Sequence, residues 1–355
     1  MARAATMCGV RLTAHGGPEV LVWSDAIPRP SPGPGEVLVR VLAAGVNATD
    51  INTRLGWYAP SVDLPPDEGT VAEAGGYAGA LRLPLIQGGD LCGRVVETGA
   101  DVDQGWTGRR VTCPINLPEP SPGAPTAYRA LGSDIDGAFA QFCVLPARHC
   151  HDVTTSPLSD VEIAAMPCAY GTALNLLTRA RVAAGQAVLI TGASGGVGLA
   201  AVQMASQTGA SVTAVCAPDK AQAVRAAGAQ ATLDRDTTPP SRQFDAVIDL
   251  VGGPGWAGRL AALKPGCTCA VSGAMAGPLV TMDLRRLYLD DLTILGCTYQ
   301  PPEVFARLVA QINAGTLRPL VSRVYPLAEI AAAQADFQSK HYPGKIVLLP
   351  PEPVP

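Results

Sequence analysis

The chain has 355 residues, 48% of them hydrophobic, and a formal net charge of −4. That length accommodates two domains with separate cores. The dispersed charge, without a basic stripe, argues against a nucleic-acid surface, and the lack of an unbroken apolar run of ~18 residues argues against a membrane span. The opening MARAATMCGVRLTAHGG has no apolar stretch of the roughly 7–15 residues that a signal peptide needs. Ten cysteines are scattered without a CxxC pair, a usage that suits a reducing cytoplasm better than a disulfide framework.

Residues 9–27 alternate as β-strands do, and the Pro/Gly-punctuated IPRPSPGPGE (Ile27–Glu36) cannot be helical. EVLVRVLAAGV (Glu36–Val46) reads as a long strand delivering Asn47, Ala48, Thr49 and Asp50 to its end. A Gly/Pro-rich excursion from about Gly56 to Leu83 carries Trp57, Tyr58 and Tyr77; a loop of that length is a lid or binding element, or else disordered. Strand patterns return in Pro84–Gly99, Arg109–Cys113 and Ala138–Leu145, with a second Pro/Gly-rich insert at Asn116–Pro125. Many short strands separated by turn residues predict a partly open β-barrel.

From Asp160 the periodicity turns helical, and strands and helices then alternate. Strands are expected at Ala187–Thr191, Ser211–Cys216, Ala231–Leu233, Ala246–Leu250, Cys267–Ser272 and Leu292–Gly296, with a helix at Lys220–Ala227 closed by Gly228. This alternation predicts an α/β, doubly wound parallel sheet with ligand at the carboxyl ends of its strands. Residues 302–314 read as helix, and Leu317–Tyr325 and Lys345–Leu349 as strands rejoining the first domain. The expected division is therefore 1–155 with 316–355, and 156–315.

The sheet is organised around AVLITGASGGVGLAAVQMA (Ala187–Ala205), a strand, a glycine turn and a helix. Ser194, Gly195, Gly196, Val197 and Gly198 leave room for a pyrophosphate to reach the backbone and the positive end of the helix. Ala193 stands where the GxGxxG fingerprint has its first glycine, and a turn that merely links strand to helix is the plainer alternative. At the end of the next strand, where NAD-binding folds usually carry Asp or Glu, the chain has Cys216, followed by Ala217, Pro218, Asp219 and Lys220. No carboxylate repels a 2′-phosphate there and Lys220 can neutralise one, which favours NADP. Asp219 and Lys220 can also be read as a helix-start carboxylate and a solvated lysine.

These motifs, with RLTAHGGPEVL, GVNATD, PLIQGGDLCG, DGAFAQF, DLVGG, GCTY and HYPGKIVLL, resemble the medium-chain dehydrogenase/reductase superfamily over nearly the whole chain. Within it they are most similar to the zinc-free quinone oxidoreductase branch related to zeta-crystallin. The resemblance implies a GroES-like catalytic domain, a Rossmann domain, a cleft between them and a homodimer joined through the Rossmann sheets. On the motifs that hold catalytic zinc in alcohol dehydrogenases of the superfamily, this chain has Asn47, Gly89 and Cys168. One thiolate does not hold a zinc that expects three protein ligands, and no four-cysteine cluster serves a structural zinc. His149-Cys150-His151 is the one metal-like alternative, with a solvated strand end the simpler reading.

Without a Lewis acid, hydride transfer from NADPH to an acceptor activated by its own carbonyl is the expected chemistry: a quinone or an α,β-unsaturated carbonyl compound. Asn47 and Asp50 are expected to line the pocket, Asn47 as hydrogen-bond donor, although Asp50 can equally cap its own loop. Tyr58 is an acid or wall candidate, or a packing residue. Thr172 resembles a contact to the nicotinamide face, or is bonded to helix backbone. The resemblance further places Val251, Gly252, Ser272, Gly273 and Ala274 at ribose and nicotinamide, and has Cys297 and Thr298 holding the carboxamide by backbone. It also sends Lys345 to the NADP phosphate, unless that lysine pairs with a surface carboxylate. A short-chain dehydrogenase is rejected, because none of the eight tyrosines has Lys four residues later and the fingerprint lies mid-chain. A zinc alcohol dehydrogenase and a nucleotide-binding protein without turnover stay open as alternatives, as does reduction of an enoyl thioester.

Overall fold

The computed structural model describes residues 6–59 and 81–353, so residues 60–80 of the expected excursion, Tyr77 among them, lie outside the described residues. The first stretch contains β1 (Thr6–Leu12), β2 (Leu21–Pro28), β3 (Glu36–Gly45), α1 (Ala48–Leu55), β4 (Asp90–Thr98) and β5 (Arg110–Thr112). It continues through β6 (Asn116–Pro118), β7 (Tyr128–Ala130), β8 (Phe142–Pro146), β9 (His151–Asp152), α2 (Asp160–Ala164) and α3 (Pro167–Arg179). Then follow β10 (Ala187–Ile190), α4 (Gly196–Gln207), β11 (Ser211–Val215), α5 (Ala221–Ala226), β12 (Ala231–Leu233), β13 (Phe244–Asp249) and α6 (Trp256–Ala262). The chain ends through β14 (Leu263–Val271), α7 (Leu284–Leu289), β15 (Thr293–Gly296), α8 (Pro302–Ala314), β16 (Val321–Pro326), α9 (Ile330–Ser339) and β17 (Lys345–Leu349).

The chain forms two compact units, passing into the second after Cys168 and back into the first at Pro301. Both crossings differ from the positions where sequence periodicity changes, because α2 and α8 make their contacts within the first unit. Ser156 Oγ, for instance, donates to the Ile312 carbonyl at the end of α8 (2.7 Å).

The first unit is built on β3, which is apolar on both faces and almost wholly buried. It pairs antiparallel with β4, β8 and β17 in a seven-stranded sheet of order β16-β17-β3-β4-β5-β9, with β8 attached to β3. Val37, Leu38, Val39 and Val41 of β3 pack with Leu91, Val95, Phe139, Leu145, Ile346 and Leu348 into one core. The Asn116–Pro125 insert is not all loop: β6 and β7 form a small ribbon. The strand expected at Ala138–Leu145 begins only at Phe142.

The second unit is a six-stranded parallel sheet, ordered β12-β11-β10-β13-β14-β15. Counted within the unit this is 3-2-1-4-5-6, the doubly wound order whose direction reverses between its first and fourth strands. The glycine turn leaves β10 at that switch point. Gly192 takes φ +59°, and a Cβ at Gly198 would lie 2.2 Å from the Gly192 carbonyl oxygen and 2.6 Å from Ala193 Cα. Only glycine lets α4 approach its own turn so closely. At Gly195 a Cβ would meet nothing nearer than 3.5 Å. The expected Lys220–Ala227 helix begins as a 3-10 turn at Pro218–Lys220 and ends at Gly228, whose φ is +119°.

Gly198→Ala should therefore destabilise the protein by roughly 1–3 kcal/mol through overpacking against backbone, whereas Gly195→Ala should leave the thermal midpoint nearly unchanged. Differential scanning calorimetry of the two variants separates a structural glycine from one needed only for ligand approach; equal loss would refute the distinction.

Candidate active site and dinucleotide turn

In the first unit, β3 ends at Gly45, and Asn47 begins α1 with extended backbone (φ −128°). Asp50 caps that helix: its Oδ2 accepts the Asn47 backbone N–H at 2.8 Å. The Asn47 side chain turns inward instead. Its Nδ2 donates to Asp90 Oδ2 at 3.0 Å, and its Oδ1 accepts from Lys345 Nζ. Lys345 also donates to the Val46 carbonyl (2.9 Å) and to Asp90 Oδ2 (3.1 Å). The other Asp90 oxygen accepts the Cys168 backbone N–H at 2.6 Å. Asp90 and Lys345 are 0% and 3% exposed, a fully buried ion pair whose oxygens and protons are all used.

The assignment of Lys345 to the NADP phosphate is thereby corrected. Its ammonium is neither on the surface nor unengaged: three oxygens of its own unit have replaced its water. Asp90 was missed because an acidic residue opening a strand reads as an ordinary edge residue; its significance comes from three chain-distant partners.

Asp50 is buried beside this pair, and burial pushes its carboxyl up to about 7. The Asn47 N–H and the Lys345 charge act in the opposite direction, and the neighbouring Asp90 reinforces the rise. Gln87, also buried, donates from Nε2 to the Asp50 carbonyl at 2.9 Å and leaves its Oε1 without a partner among the described residues. A small hollow next to Asp50 is lined by Thr49, Thr53, Ile115, Leu131 and Ser133. Tyr58 lies in the same unit, edge-on to Trp57 with ring centroids 5.3 Å apart.

The metal positions can be tested on shape. A side chain at Gly89 would place its Cβ 2.3 Å from Ile115 Cδ1, so the space of a second ligand is filled by an apolar residue. Asn47 is committed to Asp90 and Lys345, leaving Cys168 as the single thiol. The residues present do not fit a catalytic zinc. His149 and His151, the metal-like alternative, lie on different elements: His149 ends a 3-10 turn, and His151 opens β9 with its ring against Phe305. Burial and the Arg148 charge depress the His149 imidazole to about 4. None of the ten cysteines is in a disulfide.

In the second unit the cofactor candidates gather at the carboxyl ends of the strands. Ser194–Gly198 follow β10, Cys216 and Lys220 follow β11, Val251 and Gly252 follow β13, Ser272–Ala274 follow β14, and Cys297 and Thr298 follow β15. The first-turn N–H groups of α4, at Gly196, Val197 and Gly198, have no intrahelical acceptor to meet. With the close Gly198 contact, this is a cradle that fits a pyrophosphate. A buried carboxylate, Asp249, pins the neighbouring loops. It accepts from Thr191 Oγ1 (2.6 Å), the Val251 and Gly252 N–H groups (3.1 and 3.3 Å) and Arg259 Nη1 (3.2 Å).

Three details of this unit differ from expectation. The Cys297 N–H is spent on the Val271 carbonyl (2.9 Å), so it is not a donor for a carboxamide. Arg225 on α5, not singled out in the sequence, donates from Nη2 to Thr232 Oγ1 (2.8 Å); burial raises the Cys216 thiol, and the Arg225 and Lys220 charges act against that rise while Asp219 and Asp234 add to it. Thr172 on α3 is approached by Gln300 Nε2 at 3.5 Å rather than by helix backbone.

Two family models match the chain: the alcohol dehydrogenase GroES-like domain over residues 33–155 and the zinc-binding dehydrogenase domain over residues 221–348. A crystal structure from Sinorhizobium meliloti 1021, of a protein classed with the alcohol dehydrogenases, superposes with a TM-score of 0.89 and 39% identity, covering 98% of both chains. The mitochondrial NAD(P)H oxidoreductase RTN4IP1 of Danio rerio is 29% identical over 89% of this chain and 84% of its own. The quinone oxidoreductase of Rattus norvegicus is 27% identical over 97% of this chain and 98% of its own. With its glycine turn, sheet order and barrel, the chain belongs to the medium-chain dehydrogenase/reductase superfamily of nicotinamide-dependent oxidoreductases, on the quinone oxidoreductase-like branch.

Proposed function

We propose that the protein transfers hydride from NADPH to a quinone or an α,β-unsaturated carbonyl compound without a metal. The observation that carries this reading is the buried Asn47–Asp90–Lys345 cluster, which commits Asn47, one of the three positions that hold zinc in the zinc-dependent relatives, to an internal charge pair. Bound NADPH supplies one hydride; with one proton, the acceptor becomes a hydroquinone or a saturated carbonyl compound.

The chain's own residues do the rest. Asn47 offers a second amide N–H, beyond the one held by Asp90, to the acceptor's carbonyl oxygen as negative charge builds there. Asp50, raised to about 7 and so partly protonated at neutrality, is the proton source. Tyr58 is a wall of the acceptor pocket, and Thr172 steadies the nicotinamide face. The α4 N-terminus takes the pyrophosphate, and Lys220 and Arg225 neutralise the 2′-phosphate. A cytoplasmic location is part of this reading, resting on ten cysteines scattered through the sequence without a CxxC pair. Among the described residues no helix is long and apolar enough to cross a membrane.

We also propose a homodimer joined along the β15 edge. That strand ends the sheet, and next to it Leu279, Leu284, Tyr288 and Leu289 are 62–70% exposed, an apolar surface that a second copy would bury. Leu284→Glu/Leu289→Glu should convert the dimer to a monomer in analytical ultracentrifugation; a wild-type monomer at micromolar concentration would rule the interface out.

The activity is tested by following NADPH consumption with quinones, enones, aldehydes and acyl thioesters. Turnover confined to the first two classes is expected, and Lys220→Ala/Arg225→Ala should lower the NADPH-over-NADH preference by about tenfold, as loss of charge-assisted contacts does. Comparable use of NADH by the wild type, or zinc-dependent alcohol oxidation, would sink the reading.

Asp50 sets a pH dependence of known sign. A carboxyl raised in the folded state stabilises fully below its unfolded value, near 4, and that contribution is lost as pH rises through about 7. The stability of the wild type relative to Asp50→Asn should thus fall by a few kcal/mol between about pH 4 and pH 7. Turnover should decline above about pH 7 in the wild type and show no such break in the variant. A pH-independent stability difference would show that folding leaves the Asp50 carboxyl at its ordinary value.

A further inference from the structure

We propose that Lys345 is the resident cation of the Asn47 site and acts as its positioning residue, fixing and polarising the amide that donates to the acceptor. This rests on the reading of Asn47 as that donor. An ammonium has three protons and no acceptor capacity, and Lys345 meets three oxygens: Val46 O, Asn47 Oδ1 and Asp90 Oδ2. The atom of the Asn47 amide that faces it must be oxygen. The carboxylate of Asp90 can only accept, so the atom facing Asp90 must be nitrogen. The amide is therefore held from both ends and has one orientation; flipping it would set nitrogen against the ammonium and oxygen against the carboxylate.

The same arrangement has an electronic consequence. A full positive charge on the amide oxygen, in a site from which water is excluded, draws electron density out of the C–N unit. That makes both N–H groups stronger donors, as hydrogen-bond chains in low dielectric do. One N–H is spent on Asp90, and the other is offered onward. A metal in this position would polarise an acceptor directly; here the cation acts one bond system removed, through an amide.

The geometry separates this role from that of a phosphate ligand. Lys345 comes from β17 and is enclosed by β3, the start of α1 and the start of β4, and each of its protons has an acceptor inside its own unit. Releasing it to a phosphate would strand Asp90 as a buried, partly unpaired carboxylate, a costly state.

Because Lys345→Met alone creates that stranded charge, the informative variant is Lys345→Met/Asp90→Asn, in which the introduced amide oxygen can still accept the Cys168 N–H. It should fold, with a far-ultraviolet spectrum like that of the wild type. Its kcat for a simple para-quinone should fall about tenfold or more, with the quinone KM and the NADPH-to-NADH ratio of dissociation constants, measured by protein fluorescence, both unchanged. An unaltered kcat in the folded double variant overturns the proposal. So does a collapse of the cofactor ratio, which would make Lys345 a phosphate ligand.

If the wild type reduces no quinone or enone, the proposed activity falls but this inference is still read directly. The Asn47 side-chain amide resonance, identified by its loss in Asn47→Ala, should exchange slowly with solvent and move markedly in the double variant. A resonance that exchanges freely in the wild type, or does not move, refutes it.

Discussion

An ammonium inside a protein is tolerated only when oxygens replace the water it has lost. Around Lys345 they come from the end of β3, from Asn47 and from Asp90 at the head of β4, while the other Asp90 oxygen holds the Cys168 N–H at the start of α3. Four segments far apart in the chain are tied to one charge pair. Loss of either charge alone would leave the other uncompensated, a penalty of about 3–5 kcal/mol in comparable sites. The position of Asn47, and through its backbone N–H that of Asp50, follows from this pair.

The second unit solves a similar problem with a different cation. Asp249 is fully buried at the carboxyl end of β13 and is satisfied by a hydroxyl, two backbone N–H groups and Arg259. Arg259 in turn donates to the Gly252 carbonyl at 2.6 Å, closing the loop on itself. In each unit a buried carboxylate draws in the strand ends that carry the candidate site residues, so those loops are held by charge-assisted hydrogen bonds as well as by packing. Both oxygens of Asp90 and of Asp249 have partners whose loss is expensive.

The filling of the metal position follows the same logic. Ile115 occupies the volume that a ligand at Gly89 would need, and the positive charge that a divalent ion would bring is supplied by a side chain. A fixed monovalent cation organises its surroundings but leaves no open coordination position for an alcohol oxygen. In the function proposed above, the demand for reactivity then passes to the acceptor, which is the reason for proposing a carbonyl-activated acceptor rather than an alcohol.

Local patterns in the sequence were enough to place the second unit. β10 and β13 bury apolar runs between turn residues, and Gly198 is demanded by the close approach of α4 to its own turn, while β12 and the adjacent turns fall where periodicity puts them. The barrel was legible as strands but not as pairings: β6 and β7, three residues each, are too short to leave a pattern, and their ribbon is seen only in the fold. Nothing local distinguishes Lys345 from a surface lysine or Asp90 from an edge carboxylate. Their importance is a matter of which oxygens and protons meet after residues 47, 90, 168 and 345 converge. Apolar periodicity is a property of neighbouring residues and can be read along the chain. The environment of a buried charge is a property of residues hundreds of positions apart, and only the folded structure decides it.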